Sequence, residues 1–255
     1  MVYRDKRISI IIPVHNEEKL IIPTLIGIPD YVDKIIIIDD GSEDSTRSLV
    51  LSYEDERLEL IALGENKGVG NAVKVGYKGS IQYNIDIVVA IGGDHQFDLE
   101  QLPSLLDPIV DDEADYVKGN RFLVDAKEVM PNKRYFGNIF LSMLTRMASG
   151  VRTIFDTQGG FIAVSRKLIE IIDWDNFWNG YGFVSDFIIK IAAYGFRIKD
   201  IPIRAIYLKE MKQSQIVISR YIIRSLPMIL KGWLWKILHQ RKIRKKLKIN
   251  EMNKS

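Results

Sequence analysis

Six short stretches of the chain are rich in β-branched and aliphatic residues: RISIII (7–12), KIIIID (34–39), LELIA (58–62), IDIVVAI (85–91), DYVKG (115–119) and GFIAVS (160–165). A strand with one wet face alternates apolar and polar residues, whereas an apolar run without alternation suits a strand covered on both faces. Helix candidates fill the intervals, near residues 17–27, 43–54, 69–83, 100–111, 134–149, 166–172 and 184–194. The succession predicts an α/β class, with a mostly parallel sheet and helices on both faces. In open sheets of this kind ligands bind beyond the carboxyl ends of the strands, so the residues after each run are where chemistry is expected.

With 255 residues and 47% hydrophobic content, the chain can bury one sizeable core, expected over residues 1–208. The composition shifts near 209. Residues 209–248 hold twelve lysines and arginines against the single acid Glu210, which leaves the first 208 residues net acidic under an overall charge of +3. Residues 209–255 therefore read as a basic, amphipathic C-terminal segment. It carries no nucleic-acid reading motif, and nucleic acid is not an expected partner. There is no cysteine, so a metal would need oxygen or imidazole ligands, and a reducing, cytoplasmic setting fits. The opening MVYRDKRISIIIPVHNEE has too short an apolar run for a signal peptide or a membrane span.

Four strand ends carry polar clusters. PVHNEE follows the first, where Pro13 is expected to stop the ladder and His15, Asn16 and Glu17 to open a helix, with Glu17 complementing its positive end. DDGSEDST follows the second: Asp39 and Asp40 precede a glycine turn, and Ser42 or Asp44 suits a helix cap. Either cluster alone is also ordinary cap and turn chemistry. ENKGVGNAVKVG follows the third, where Gly68 and Gly70, just after Asn66, would expose backbone N–H groups at a helix start as a phosphate cradle. It is not a dinucleotide fingerprint, because Val73 occupies the third glycine position. IGGDHQFD follows the fourth. Asp94 and Gln96, on alternate residues of an extended segment, can face one cation, and Mg²⁺ needs only one or two protein carboxylates when substrate phosphates and water complete its shell. By the same alternation His95 should point the other way. The plainer alternative makes Asp94 a turn former and Asp98 the cap of the next helix.

Taken in order, PVHNEE, IIIIDDGSEDST, NKGVGNAVKVG, the Asp94 turn, VKGNRF, RYFGN and FDTQGGF resemble the signature of family 2 glycosyltransferases, in the branch exemplified by dolichol-phosphate mannose synthase. The resemblance spans residues 7–207. It implies a GT-A fold, which is Rossmann-like, and transfer of a hexose from a nucleotide-diphosphate sugar (GDP-mannose or a UDP-sugar) to a polyprenyl or dolichyl phosphate, with inversion. By position it implies that Pro13, His15 and Glu17 line the nucleoside pocket, with Asp39 or Asp40 accepting from a base N–H or a ribose hydroxyl. Asp94 and Gln96 would hold Mg²⁺ or Mn²⁺ against the diphosphate. Arg121 and Arg134 would give fixed positive charge to phosphates, and Asp156 and Gln158 would shape the sugar pocket beside Gly159 and Gly160. Three positions depart from the family pattern: Gly92 where an aspartate is usual, Asp186 where a glutamate is frequent, and Ser214–Gln215 where Ser-Lys is common, with Lys209 and Lys212 as nearby substitutes.

An acceptor phosphate, with a second pKa of about 6, needs no base to attack. A hydroxyl acceptor would need one, and Asp186 is then the candidate. A saccharide-extending transferase and a non-catalytic nucleotide-sugar-binding subunit are the alternatives. The tail has a run broken at Pro227, is too short between charges to span a bilayer, and is rich in Trp and cations. It predicts one or two helices lying on a membrane surface through residues 216–248, holding the protein peripherally at the cytoplasmic face. The alternative is a helix packed on the catalytic domain, followed by a solvated basic end.

Overall fold

The apolar runs are strands of one sheet in a computed structural model, which describes the backbone of residues 3–124, 126–206 and 218–252 and, within these, all side chains except those of 128, 129, 218–220 and 246–252. The strands are β1 (Ile8–Val14), β2 (Lys34–Asp39), β3 (Leu58–Ala62), β4 (Ile87–Ala90), β5 (Tyr116–Asn120), β6 (Ile162–Ser165) and β7 (Ile198–Pro202). Their spatial order is β3-β2-β1-β4-β6-β5-β7. β6 runs antiparallel to both its neighbours, and the other pairings are parallel. The helices are α1 (Ile21–Ile26), α2 (Thr46–Ser52), α3 (Val69–Ser80), α4 (Leu102–Val110), α5 (Ala126–Val129), α6 (Asn132–Ser149), α7 (Arg166–Ile171), α8 (Phe183–Tyr194) and α9 (Ile218–Met252).

Burial of both sheet faces accounts for the unalternating runs. Ile8, Ile10, Ile12, Ile35 and Ile37 pack towards α1 and α4. Ile11, Ile36 and Ile38 pack the other way, towards α3 and α8. β7 has no such run: its IKDIP alternates at the sheet edge, half exposed, so a search for continuous apolar sequence passes over it. Pro13 does not stop the first ladder as expected. It sits inside β1 opposite Ile38, and the strand continues to Val14.

The C-terminal segment takes the form that the alternative reading gave it, a helix packed on the catalytic domain. α9 is one helix that carries Pro227 internally, and its described part packs on the domain. Ser225, Met228 and Ile229 are buried, the last two against Leu141 and Ala148 of α6 and Ile189 of α8. Lys236 donates to the carbonyls of Ala148 and Ser149 at the end of α6, and Arg244 to those of Ala192 and Ala193 at the end of α8. Two of the tail's cations thus satisfy helix C-termini, where carbonyls lack intrahelical donors and positive charge is favoured. The other face is apolar and exposed, with Ile223, Leu226, Leu230, Trp233, Leu234, Ile237 and Leu238 at helical spacing; α6 exposes Phe136, Phe140, Met143 and Met147 in the same way. Among the described residues no helix is long and apolar enough to cross a membrane.

Candidate functional site

The carboxyl ends of β1 and β4, with the segments that follow β4 and β5, border a cavity of about 200 Å³ lined by Pro13, Gly92, Asp94, Gln96, Arg121, Arg134, Gln158, Tyr181 and Tyr221, among others. β6 is the strand that makes this possible. Being antiparallel, it starts at the edge where the parallel strands end, so the DTQGG segment before it enters the same cavity as the Asp94 turn.

Arg121 is held rigidly. Its Nε and Nη2 donate to Asp156 Oδ2 and Oδ1 at 2.7 and 3.1 Å, and both side chains are buried. Burial opposes ionisation of Asp156, but the charges of Arg121 and Lys118 and the hydrogen bonds to it outweigh that and hold it well below the usual carboxylate range. Lys118, in the interior of β5, donates to the carbonyl of Gly159 at 2.5 Å, and burial lowers its ammonium to about 8 against the pull of Asp156. A Cβ at Gly159 would stand 3.1 Å from Lys118 Nζ and 3.5 Å from Arg121 Nε, so the ammonium would have to give way slightly to any side chain there. Asp156 is therefore not a cavity wall but the anchor behind one. Arg134 comes from the first turn of α6 and lines the cavity directly.

Asp94 is pushed up to about 6 by burial, with the Gln96 N–H and the charges of Arg134 and Arg121 pulling the other way. Glu17 is pushed up to about 8 by burial first and then by Asp94 and Asp44. His95 lines a second cavity with Thr24, Phe97 and Glu100, but not by the expected strand-like alternation: the segment is not extended, and it turns at residues 93–95 with His95 in the left-handed region at φ +52°. Asp98 accepts from the Glu100 N–H at 3.0 Å and is a cap.

Several sequence-derived expectations are corrected. In the 66–71 loop three N–H groups are turned inward rather than towards a phosphate: those of Lys67 and Gly68 donate to the two oxygens of Asp40, at 2.7 and 2.9 Å, and that of Asn71 to the Asn179 carbonyl at 2.9 Å. Gly68 and Gly70 are required instead because added side chains would stand 2.6 Å and 2.5 Å from the carbonyls of Asn179 and Trp178. Asn66 accepts from the Gly68 N–H at 3.1 Å, a turn contact. Asp39 accepts from the Ser42 N–H and from Arg47, which together outweigh burial and lower its pKa. Asp39 ends β2, and His15, Glu17, Asp40 and Asn66 lie on the loops after β1, β2 and β3; none of the five is among the lining residues of this cavity. Asp186 does not line it either. It is buried, paired with Lys190 at 2.8 Å, and accepts from the Trp178 N–H at 2.8 Å. Burial raises its pKa against Lys190. Lys209, Lys212 and Ser214–Gln215 lie outside the described residues. Sequence reasoning missed Lys118, Tyr181 and Tyr221. A lysine in the middle of a buried strand was a signal for the first, and the two tyrosines carried none.

Residues 9–172 match the Glycosyl transferase family 2 domain. The chain belongs to that family. It is 31% identical over 220 residues, 80% of this chain and 87% of the relative, to a UDP-N-acetylglucosamine–dolichyl-phosphate N-acetylglucosaminyltransferase of Methanococcus voltae. It is 28% identical over 225 residues, 85% and 91% of the two chains, to an undecaprenyl-phosphate mannosyltransferase of Micrococcus luteus. In fold it is similar to glucosyl-3-phosphoglycerate synthase of Mycobacterium tuberculosis solved with Mn²⁺, UDP and phosphoglyceric acid, with a TM-score of 0.66, 19% identity, and 90% and 79% of the two chains covered. The protein is thus a family 2 glycosyltransferase with a GT-A-like fold.

Among the described residues no group of three or more histidines and acids could hold a metal unaided. The oxygen donors that line the cavity beside Gly92 are the Asp94 carboxylate and the Gln96 amide. A Cβ at Gly92 would stand 2.8 Å from Asp94 Oδ1, so the bare glycine leaves room around that carboxylate. Two hard oxygens, with the remaining positions left to phosphates and water, suit Mg²⁺ or Mn²⁺. The residues fit the group.

Proposed function

We propose that this glycosyltransferase moves a hexose from a nucleotide-diphosphate sugar, GDP-mannose or a UDP-sugar, to a polyprenyl or dolichyl phosphate, inverting the anomeric carbon. One observation carries the choice of acceptor. Among the described residues, Asp94 is the sole acidic residue of the cavity lining, while Arg121 and Arg134 bring two guanidiniums to it. A hydroxyl acceptor needs a base, and Asp186, the candidate, is engaged with Lys190 outside the lining. A phosphate acceptor brings its own negative charge and needs cations to hold it.

In this reading an oxygen of the acceptor phosphate attacks the anomeric carbon as the bond from that carbon to the donor's diphosphate breaks. The nucleoside diphosphate leaves with the electron pair, and no proton moves. Arg121, fixed by Asp156, and Arg134 hold the two anionic partners in line and stabilise charge as it shifts to the leaving group. Mg²⁺ or Mn²⁺, held by Asp94 and Gln96, would supply Lewis-acid neutralisation of the diphosphate. The apolar faces of α6 and α9, flanked by Arg146, Arg224, Lys231 and Arg241, support peripheral binding at the cytoplasmic face of a membrane, where a polyprenyl phosphate is dissolved.

The test is a transfer assay with GDP-mannose, UDP-glucose and UDP-N-acetylglucosamine, each with Mg²⁺ or Mn²⁺, against dolichyl phosphate and against free saccharides. Transfer to dolichyl phosphate is expected, abolished in Asp94→Ala and kept within about tenfold in Asp186→Asn, a barrier change of about 1.4 kcal/mol. Transfer confined to saccharide hydroxyls, or nucleotide-sugar binding without turnover, overturns the reading.

A further inference from the structure

The C-terminal helix supplies a wall of the cavity. Tyr221 of α9 lines it with Arg121 and Arg134, and its hydroxyl donates to Gln158 Oε1. Gln158 Nε2 in turn donates to Thr157 Oγ1 at 2.6 Å and to Ser185 Oγ at 3.0 Å. Ser185 Oγ also accepts from Thr145 Oγ1 at 3.0 Å, and Ser142 Oγ takes the Thr157 N–H at 3.0 Å. One hydrogen-bonded chain therefore runs from α9 through the DTQGG segment into α8 and α6.

Gln158 is where this chain is decided. An amide has two N–H donors and one carbonyl, and here both donors are used and the carbonyl receives Tyr221. The phenol supplies the third of the amide's three hydroxyl partners, the one on its carbonyl side. Without it, that side of the amide loses its partner and the side chain is held by two hydrogen bonds instead of three. The same short segment carries Asp156, the anchor of Arg121, so freedom at 158 is transmitted to the guanidinium that faces the acceptor. The Tyr221 ring is fixed independently by an edge-on contact with Tyr181, at 6.3 Å and 87°. Burial pushes its phenol up to about 12, so it keeps its proton to donate.

We propose that Tyr221 is a positioning residue that locks Gln158, and through it the Asp156–Gly160 segment, so that the acceptor side of the cavity has its working geometry only while α9 is docked on α6 and α8. This rests on the phosphate-acceptor reading of the cavity. Burial of Met228 and Ile229 docks the helix, and two remote tethers add to it, Lys236 on the end of α6 and Arg244 on the end of α8; neither tether touches the cavity.

The experiment uses the full chain and two variants: Tyr221→Phe, which removes one oxygen and keeps the ring, and Lys236→Met/Arg244→Met, which loosens the docking at a distance. Amide hydrogen exchange across 156–162 is measured first and needs no substrate. Both variants should exchange there at least fivefold faster than wild type, with β1 to β4 unchanged. Transfer to dolichyl phosphate from whichever of the three donors wild type uses should then fall five- to thirtyfold in kcat for Tyr221→Phe, with the Kd for that donor's nucleoside diphosphate within twofold of wild type. Exchange and kcat at wild-type levels in Tyr221→Phe overturn the proposal. If wild type transfers nothing to dolichyl phosphate, the proposed function fails, and the exchange rates alone still decide whether Tyr221 and the tethers hold this segment.

Discussion

Replacing Asp156 with Asn tests the electrostatic centre of the site with almost no change of shape. Asp156 accepts five hydrogen bonds: from Arg121 N and Nε on Oδ2, at 3.3 and 2.7 Å, and from Arg121 Nη2, Gln158 N and Gly159 N on Oδ1, at 3.1, 3.1 and 3.2 Å. An asparagine amide can present its oxygen to only one of these groups, so two or three donors then face an NH₂ that cannot accept. Arg121 and Lys118 are also left buried with their common counter-charge gone. Breaking a buried pair from one side costs about 3–5 kcal/mol. For a domain of this size each kcal/mol moves Tm by about 2–4 °C, so differential scanning calorimetry at pH 7 should give a fall of about 6–20 °C. The pH dependence adds a signed check. A carboxylate held below its unfolded pKa contributes stability that is present above about pH 4 and lost on acidification. The gap between wild type and Asp156→Asn should therefore narrow as pH falls from 5 to 3. A variant within about 2 °C of wild type at pH 7, with a parallel pH profile, would falsify the view that this ion pair organises the site.

The glycines of the third loop give a paired test: Gly64 (φ +79°) has nothing within 4 Å of an added Cβ, whereas Gly68 (φ +93°) has the Asn179 carbonyl at 2.6 Å. Gly64→Ala should cost only the backbone conformation, about 1–2 kcal/mol, and Gly68→Ala clearly more, because two backbones must separate; equal urea midpoints would contradict the packing described. For the membrane face, Leu230→Asp/Leu234→Asp alters exposed positions of α9 and should lower partition onto anionic vesicles at least tenfold, about 1.4 kcal/mol, in a flotation assay with Tm unchanged; undiminished binding would assign α9's exposed face another use.

Much of the fold was legible because buried strands and glycine turns leave local marks. The isoleucine runs mark a sheet covered on both faces, and the polar clusters after them mark its carboxyl edge. The loops were read less well, because a side chain's role depends on what else arrives beside it. Gly68 and Gly70 look like a phosphate cradle until the 178–180 segment is seen packed against them. Asp39 and Asp40 look like free acceptors until Arg47 and the 67–68 amides are found on them. Asp186 has the spacing of a base and the surroundings of a buried ion pair.

The sequence by itself determined the α/β class, the order of the strand-end clusters and the family resemblance, since each is written in residues close together along the chain. It also marked the Asp94 turn, with Gly92 in place of a first carboxylate. Only the tertiary structure decided that β6 runs backwards and carries Gln158 to the Asp94 edge, that Lys118 and Asp156 stand behind Arg121, and that a helix beginning more than fifty residues after Asp156 closes the cavity with Tyr221. Those contacts join positions far apart in sequence through burial and hydrogen-bond geometry, for which a linear pattern carries no local signal.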